Sequence, residues 1–248
     1  MSGVFRVDGD AYDDFMGRYS TRLAPLFADF AGVSSGMRVL DVGAGTGALT
    51  AELVSRGTSV AAADPSPEFV AVLHERFPEV EVQEAPAESL PFEAGSFDVA
   101  LAQLVVAFVS DGPAAIAEMA RVARRVVVCM WGITEVEMFR AIDETAEAIG
   151  ASRATEPRRY RTAGEIHGLL APHGEVETGE LDVTADYGDF QEFWLAMGRG
   201  VGPAGQWVAS LDSEQLEQAH AELYRQLGSP AGAFELKARA FAAAVTPA

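Results

Sequence analysis

Residues 39–50 read VLDVGAGTGALT: an apolar run carries Asp41, turns through Gly43, Gly45 and Gly47, and opens a helical pattern at Ala48. Alternate glycines let the main chain turn sharply and approach a ligand with no Cβ atoms in the way. The loop alone leaves two ligands open, because Gly43, Gly45 and Ala48 also satisfy the looser dinucleotide pattern G-x-G-x-x-A. Asp41 separates them. Placed at the carboxyl end of the strand, its carboxylate repels a pyrophosphate lying on the helix N-terminus and attracts the ammonium of an amino acid. Asp64 ends the next apolar run about 20 positions on, where a carboxylate can accept two hydrogen bonds from ribose hydroxyls. Together the two acids imply a nucleoside with a cationic amino acid tail. Taken alone Asp64 stays ambiguous, since Asp before Pro-Ser is also good turn chemistry.

On both sides of the loop, short apolar runs alternate with amphipathic stretches: MRVLDVG (37–43), TGALTAELVSRG (46–57), SVAAAD (59–64), PEFVAVLHERF (67–77) and VEVQEA (80–85). Strand, helix, strand, helix, strand is the βαβ signature. Phe69, Val70, Leu73 and Phe77 share one face of the helix expected over 66–77, and that face should lie on the sheet. A fourth strand is expected at SFDVALAQ (96–103), a helix at 112–123 and a fifth strand at RRVVVCMW (124–131), nearly all apolar as suits strands covered on both faces. Beyond Trp131 the pattern predicts a helix at 136–150, an arginine-rich loop at 153–161, a helix at 162–174, a strand at 175–183, a helical stretch at 188–228 and a last strand at 233–245.

The expected fold class is therefore α/β: a doubly wound, Rossmann-like sheet, mostly parallel with an antiparallel last strand, in a single domain over 1–248. Residues 132–160 and 188–228 read as lid insertions. The segment 1–35, with Phe15, Tyr19, Leu23, Leu26, Phe27 and Phe30 at helical spacing, is expected to pack over the sheet's edge or mouth.

Composition narrows the partners. With 248 residues, 49% of them hydrophobic, the chain can bury a full three-layer core. A net charge of -19, from 37 acidic and 18 basic residues, repels a bare polyanion, so neither nucleic acid nor an anionic membrane is an expected partner. The single cysteine, Cys129, lies in the apolar run VVVCMW and reads as a buried structural thiol. The acidic N-terminus has no apolar run of signal-peptide length, and nowhere do eighteen apolar residues run together, so a cytoplasmic enzyme is expected.

The glycine loop with Asp41, the acid Asp64, the stretch APAESLPFEAGSFDVALAQ (85–103) and the entry segment YDDFMGRYS (12–20) resemble those of a class I S-adenosylmethionine-dependent methyltransferase. The likeness is to the group of ubiquinone and menaquinone biosynthesis methyltransferases, and it covers residues 12–131 well and the remainder loosely. The resemblance implies S-adenosylmethionine as cofactor, with S-adenosylhomocysteine as product, and a small-molecule acceptor. It implies that Gly43, Ala44 and Gly45 line the methionine part, that Asp64 holds the ribose and that Pro65 presses on the adenine. Ala87 and Glu88 would border the adenine's other side, a main-chain amide reading a ring nitrogen and the carboxylate accepting from the exocyclic amine. Gln103 would sit under the sulfonium end. Tyr12, Arg18 and Tyr19 fall in the segment that in similar proteins folds over the cofactor carboxylate, for which Arg18 is a sensible partner; plain surface or packing roles stand beside that reading. One departure is the shortened turn in RVARRVVVCMW, where related chains carry Pro-Gly-Gly. QLVVAF (103–108) also lacks the Asn-Pro-Pro-Tyr type signature of amino-group methyltransferases that act on nucleic acids.

Methyl transfer from a sulfonium is an in-line displacement that needs alignment and a dry pocket more than a catalytic triad. A general base is required only where the acceptor loses a proton as it attacks. His74, His167, His173 and His220 read as surface or packing residues, and no Cys or His set has metal-ligand spacing, so no metal is expected. Arg153, Arg158, Arg159 and Arg161 read either as a solvated loop or as a trap for an anionic acceptor. Phe190, Phe193 and Trp194 read as lid core or as an apolar acceptor wall. Two other function classes stay open: an NAD(P)-dependent oxidoreductase, on the G-x-G-x-x-A match, and a non-catalytic S-adenosylmethionine-binding protein.

Overall fold

The computed structural model describes residues 13–151, 159–199 and 202–247. A π-helical turn, Asp13–Gly17, leads into α1 (Arg18–Phe30), which carries Pro25 within it. There follow β1 (Arg38–Val42), α2 (Ala48–Ser55), β2 (Ser59–Asp64), α3 (Pro67–Arg76), β3 (Glu81–Glu84), β4 (Phe97–Gln103), α4 (Gly112–Val122) and β5 (Ala123–Val136). The chain continues through α5 (Glu137–Ala148), α6 (Ala163–Leu170), β6 (Val176–Tyr187), α7 (Phe190–Gly198), α8 (Gly202–Ser210), α9 (Ser213–Gln226) and β7 (Phe234–Val245).

The seven strands form one sheet in the order β3-β2-β1-β4-β5-β7-β6. The five strands expected within 37–131 are parallel to one another, and the crossing back from β3 to β4 on the far side of β1 makes the sheet doubly wound. It is a mostly parallel, mixed sheet of Rossmann-like type. Two boundaries differ from expectation. β5 runs through Trp131 to Val136, so residues 132–136 are strand and the helical insertion begins at Glu137; and α4 passes into β5 at Ala123 with no intervening turn. The stretch 188–228 divides into α7, α8 and α9.

By its internal contacts the chain resolves into two compact units. One gathers the described residues within 20–133, 157–182 and 239–248. Its core joins Leu40, Ala100, Val126 and Val128 of the sheet to Ile116 and Met119 of α4 and to Ile166 and Leu170 of α6. On the other side of the sheet, the apolar face of α3 settles as its spacing requires: Leu73, with Val70 and Phe77, packs on Ala62 of β2 and Val82 of β3. Ser66 accepts the amide of Phe69 and Pro67 occupies the first turn, which starts α3 directly after Asp64.

The other unit gathers the described residues within 1–19, 134–156 and 183–238. Its interior is aromatic: Phe193 meets Tyr187 edge-on with ring centroids 5.0 Å apart, and Tyr187 stacks on Phe234 at 5.4 Å. Phe190 packs against Trp194, His220 and Tyr224. Asp189 caps α7, and Asp212 with Gln215 forms a capping box on α9, which packs on α5.

Gly47 stands at the mouth of α2 with φ 94°, and a Cβ there would lie 2.3 Å from Cε2 of Phe77. Left-handed strain and overpacking each cost about 1–3 kcal/mol, so Gly47→Ala is expected to lower the unfolding free energy by about 2–4 kcal/mol in a urea titration. A loss below about 0.5 kcal/mol, the usual range of a neutral surface change, would contradict the close packing of this turn.

Candidate functional site

The parallel register brings the expected residues to one edge of the sheet. Asp41 lies opposite Ala62 on one side and Leu101 on the other, and Asp64 lies opposite Glu84, so β1 to β4 deliver Asp41, Asp64, Ala85–Glu88 and Gln103 at neighbouring carboxyl ends. This is the edge at which doubly wound sheets bind ligands.

The glycine turn is held against β2 by its own amides. Gly43 and Ala44 donate to the carbonyl of Ala63 at 2.7 and 3.2 Å, and Gly45 donates to Oδ2 of Asp64 at 2.9 Å. Positive φ angles at Gly43 and Gly45 make that path open only to glycine without strain. The two positions differ in surroundings. A Cβ on Gly43 would strike Val105 at 2.5 Å, whereas one on Gly45 would meet nothing within 4 Å, so at Gly45 the bare backbone borders open space.

Asp64 is buried, with Oδ1 accepting the amide of Ser66 and Oδ2 that of Gly45, both at 2.9 Å. Burial raises its pKa, and the two amides counter part of that rise. Each carboxylate oxygen retains a second lone pair for a ligand hydroxyl. Asp41 is 1% exposed and accepts from Thr50 twice, from its hydroxyl, 2.7 Å from Oδ2, and from its amide. Burial, together with the nearby charge of Asp64 and against the Thr50 hydrogen bonds, lifts its pKa to about 7.

Ala44 and Ala87 are nearly buried and Pro65 is exposed. Gln103 donates from Nε2 to the carbonyl of Ser20 at 3.0 Å. Glu88 has partners that the sequence pattern did not reveal: its Oε1 accepts the amide and hydroxyl of Ser110, each at 2.7 Å, and the amide of Asp111 at 3.1 Å. Burial pushes its pKa up, but these donors prevail and hold the carboxyl below its ordinary value.

Residues 13–19 of the entry segment belong to the aromatic unit. Tyr12 lies outside the described residues. Arg18 is engaged within the protein: Nε and Nη1 donate to the carbonyls of Asp14 and Asp186, each at 2.8 Å, Nη2 pairs with Glu192, and the guanidinium lies over the Tyr187 ring. Tyr19 is 1% exposed, and burial beside Tyr187 holds its phenol far above the ordinary range. Both side chains thus make contacts within that unit. Phe190 and Phe193 are likewise core residues.

Of the arginine cluster, Arg153 and Arg158 fall outside the described residues. Arg161 is buried, and Arg159 donates to three carbonyls of the loop after β4. His74 and His167 are exposed on helices. Among the described residues no group of three or more His, Cys, Asp or Glu could hold a metal ion, and no helix is long and apolar enough to cross a membrane. The contacts of Thr50, Val105 and Ser110 with the candidate residues went unforeseen from sequence, and Arg159 was read there only as solvated or as part of an anion trap. Ser66 had a local signal, since a serine two residues after an aspartate commonly donates its amide back to it.

Residues 40–130 match a family model described as a methyltransferase domain. The chain is similar to an uncharacterised methyltransferase of Mycobacterium tuberculosis, with 41% identity over 149 residues covering 59% of this chain and 58% of that protein. Among solved structures, a candidate type II methyltransferase from Anaeromyxobacter dehalogenans shares 22% identity at a TM-score of 0.69, covering 90% of this chain and 95% of its own. A phosphoethanolamine N-methyltransferase of Haemonchus contortus, solved with S-adenosylhomocysteine, shares 17% identity at a TM-score of 0.55, covering 98% of this chain and 61% of its own. The fold is the Rossmann-like fold of methyltransferases.

Asp41 supplies a pH test of this geometry. The folded chain holds the proton up to about pH 7, while an unburied carboxyl releases it near 3.8. The contribution to stability is therefore full below the lower value and is lost as the pH rises through the higher one. Asp41→Asn is expected to gain on the wild type by up to about 4 kcal/mol between pH 4 and 7 in parallel urea unfolding curves. A difference that stays flat over that range would mean that Asp41 is ionised throughout.

Proposed function

We propose that this chain is an S-adenosylmethionine-dependent methyltransferase acting on a small-molecule acceptor, with the cofactor at the carboxyl ends of β1, β2 and β4. The observation that carries the reading is the bond from the Gly45 amide to Asp64, which presents a buried carboxylate beside a backbone stretch with open space over it. The match of residues 40–130 to a methyltransferase domain supports it.

In this reading Gly43, Ala44 and Gly45 line the methionine part, Asp41 attracts its ammonium, and Asp64 accepts from the ribose hydroxyls. Pro65 and Ala87 flank the adenine, and Glu88 accepts from its exocyclic amine through the oxygen that Ser110 and Asp111 leave open. The bound cofactor supplies an activated methyl group on a good leaving group. The protein's part is to orient and to exclude water, and Gln103, tethered to Ser20, presents a fixed amide at the end of β4. The finer likeness, to the ubiquinone and menaquinone biosynthesis group, rests on residues 12–20 and 85–103. A cytoplasmic location rests on the lone buried Cys129.

Parallel calorimetric titrations with S-adenosylmethionine, S-adenosylhomocysteine and NADH test the reading. The first two are expected to bind; binding of NADH alone overturns it in favour of an oxidoreductase. Asp64→Ala is expected to weaken S-adenosylhomocysteine by about tenfold or more, about 1.4 kcal/mol, through lost charge-assisted hydrogen bonds. Unchanged affinity in the folded variant would place the ribose elsewhere.

A further inference from the structure

Arg159 follows directly on a stretch outside the described residues, yet its guanidinium is committed to one target. Nε donates to the carbonyl of Ala107 at 3.0 Å, Nη1 reaches that of Ser110 at 3.4 Å and Nη2 bonds that of Val109. A planar fork can hold three carbonyls of one loop in a single geometry, which an ammonium cannot do. Tyr160, at φ 58°, then turns its ring onto the start of α4, where a Cβ on Gly112 would lie 2.4 Å from the phenol oxygen. Asp111, between the two contacts, caps α4 by accepting the amide of Ala114.

The loop so clamped is the one that holds Glu88. The Ser110 amide and hydroxyl and the Asp111 amide all converge on Oε1, and with Glu88's own amide they fix the carboxylate's rotation. Glu88 and Arg159, 71 positions apart in sequence, are thus joined through one short loop. The orientation of Glu88 is a property of Arg159 as much as of the strand end that carries it.

We propose that Arg159 is a positioning residue that sets base selectivity: by clamping residues 107–110 it fixes the Ser110–Asp111 donors, which aim Oε2 of Glu88 at the exocyclic amine of the adenine. This rests on the proposed function, deepening the adenine end of the same site. Arg159 touches no part of the cofactor in this scheme. A loosened clamp frees Glu88 to rotate, and the site loses its preference for an amino group over a carbonyl at that ring position without losing its hold on the ribose and the amino acid tail.

The test compares S-adenosylhomocysteine with S-inosylhomocysteine, in which a carbonyl replaces the amine, by calorimetry on the wild type, Arg159→Met and Arg159→Lys, each checked by thermal melt. Arg159 is exposed, so at least the lysine variant should fold. The wild type is expected to prefer the adenine ligand by about tenfold or more, the effect of one hydrogen bond to a charged group, and both variants to lose most of that preference. General loosening of the protein would weaken both ligands equally and leave the ratio standing. A folded variant with the wild-type ratio overturns the clamp alone. A wild type that binds neither ligand overturns the proposed function and the clamp with it.

Discussion

Two carboxylates, Asp41 and Asp64, are buried at the ends of adjacent strands, and the way their charge is accommodated organises this part of the molecule. Taking an ionised carboxylate out of water costs several kcal/mol unless hydrogen bonds replace the lost solvation. Asp64 receives the amides of Gly45 and Ser66, whereas Asp41 receives the hydroxyl and the amide of Thr50. Only Asp41 is lifted as far as about 7. Burial is the first cause of the rise at both, and it is more complete at Asp41; the glycine turn eases Asp64 by swinging the Gly45 amide over to β2.

The turn in turn limits its neighbours. With no side chain on Gly43, Val105 closes down on it, and with none on Gly47, Phe77 and Leu73 of α3 come up against the start of α2. Space removed at two glycines is filled by apolar groups from β4's following loop and from α3, while the space at Gly45 stays open. One short peptide therefore seals both of its flanks and leaves its centre accessible. A Rossmann-like sheet needs the first property for stability and the second for binding, and the alternation of glycines serves both.

The first half of the chain was legible because its signals are local. The strands β1 to β5 announce themselves as apolar runs, the α3 face by the spacing of Phe69, Val70, Leu73 and Phe77, and the Asp64–Ser66 bond by turn chemistry. What sequence missed depends on long-range closure. Nothing at Glu88 points to Ser110, 22 positions away, and nothing at Arg159 points to Ala107, 52 positions away. The end of β5 was misjudged for a related reason. Gly132 and Thr134 break the apolar run, but the strand continues through them, since pairing to neighbours can carry a strand past the point where its own composition favours one.

Arginines show the same divide between composition and placement. As a cluster in an acidic chain, residues 153–161 suggest capture of an anion, and Arg18 suggests a carboxylate ligand. Arg159 instead spends its donors on carbonyl oxygens, and Arg18 on two carbonyls, one glutamate and an aromatic face. Guanidinium is weakly hydrated and carries five donors, so a carbonyl-rich loop can compete for it with any free anion. The aromatic residues of α7 behave alike: Phe190 and Phe193 turn to one another and to Tyr187, His220 and Tyr224, and a self-packed face of that kind carries no imprint of an acceptor. Selectivity in this protein is therefore to be read where polar groups keep a lone pair unspent. On that criterion the carboxylates of Glu88 and Asp64 carry more chemical information than the guanidinium of Arg159.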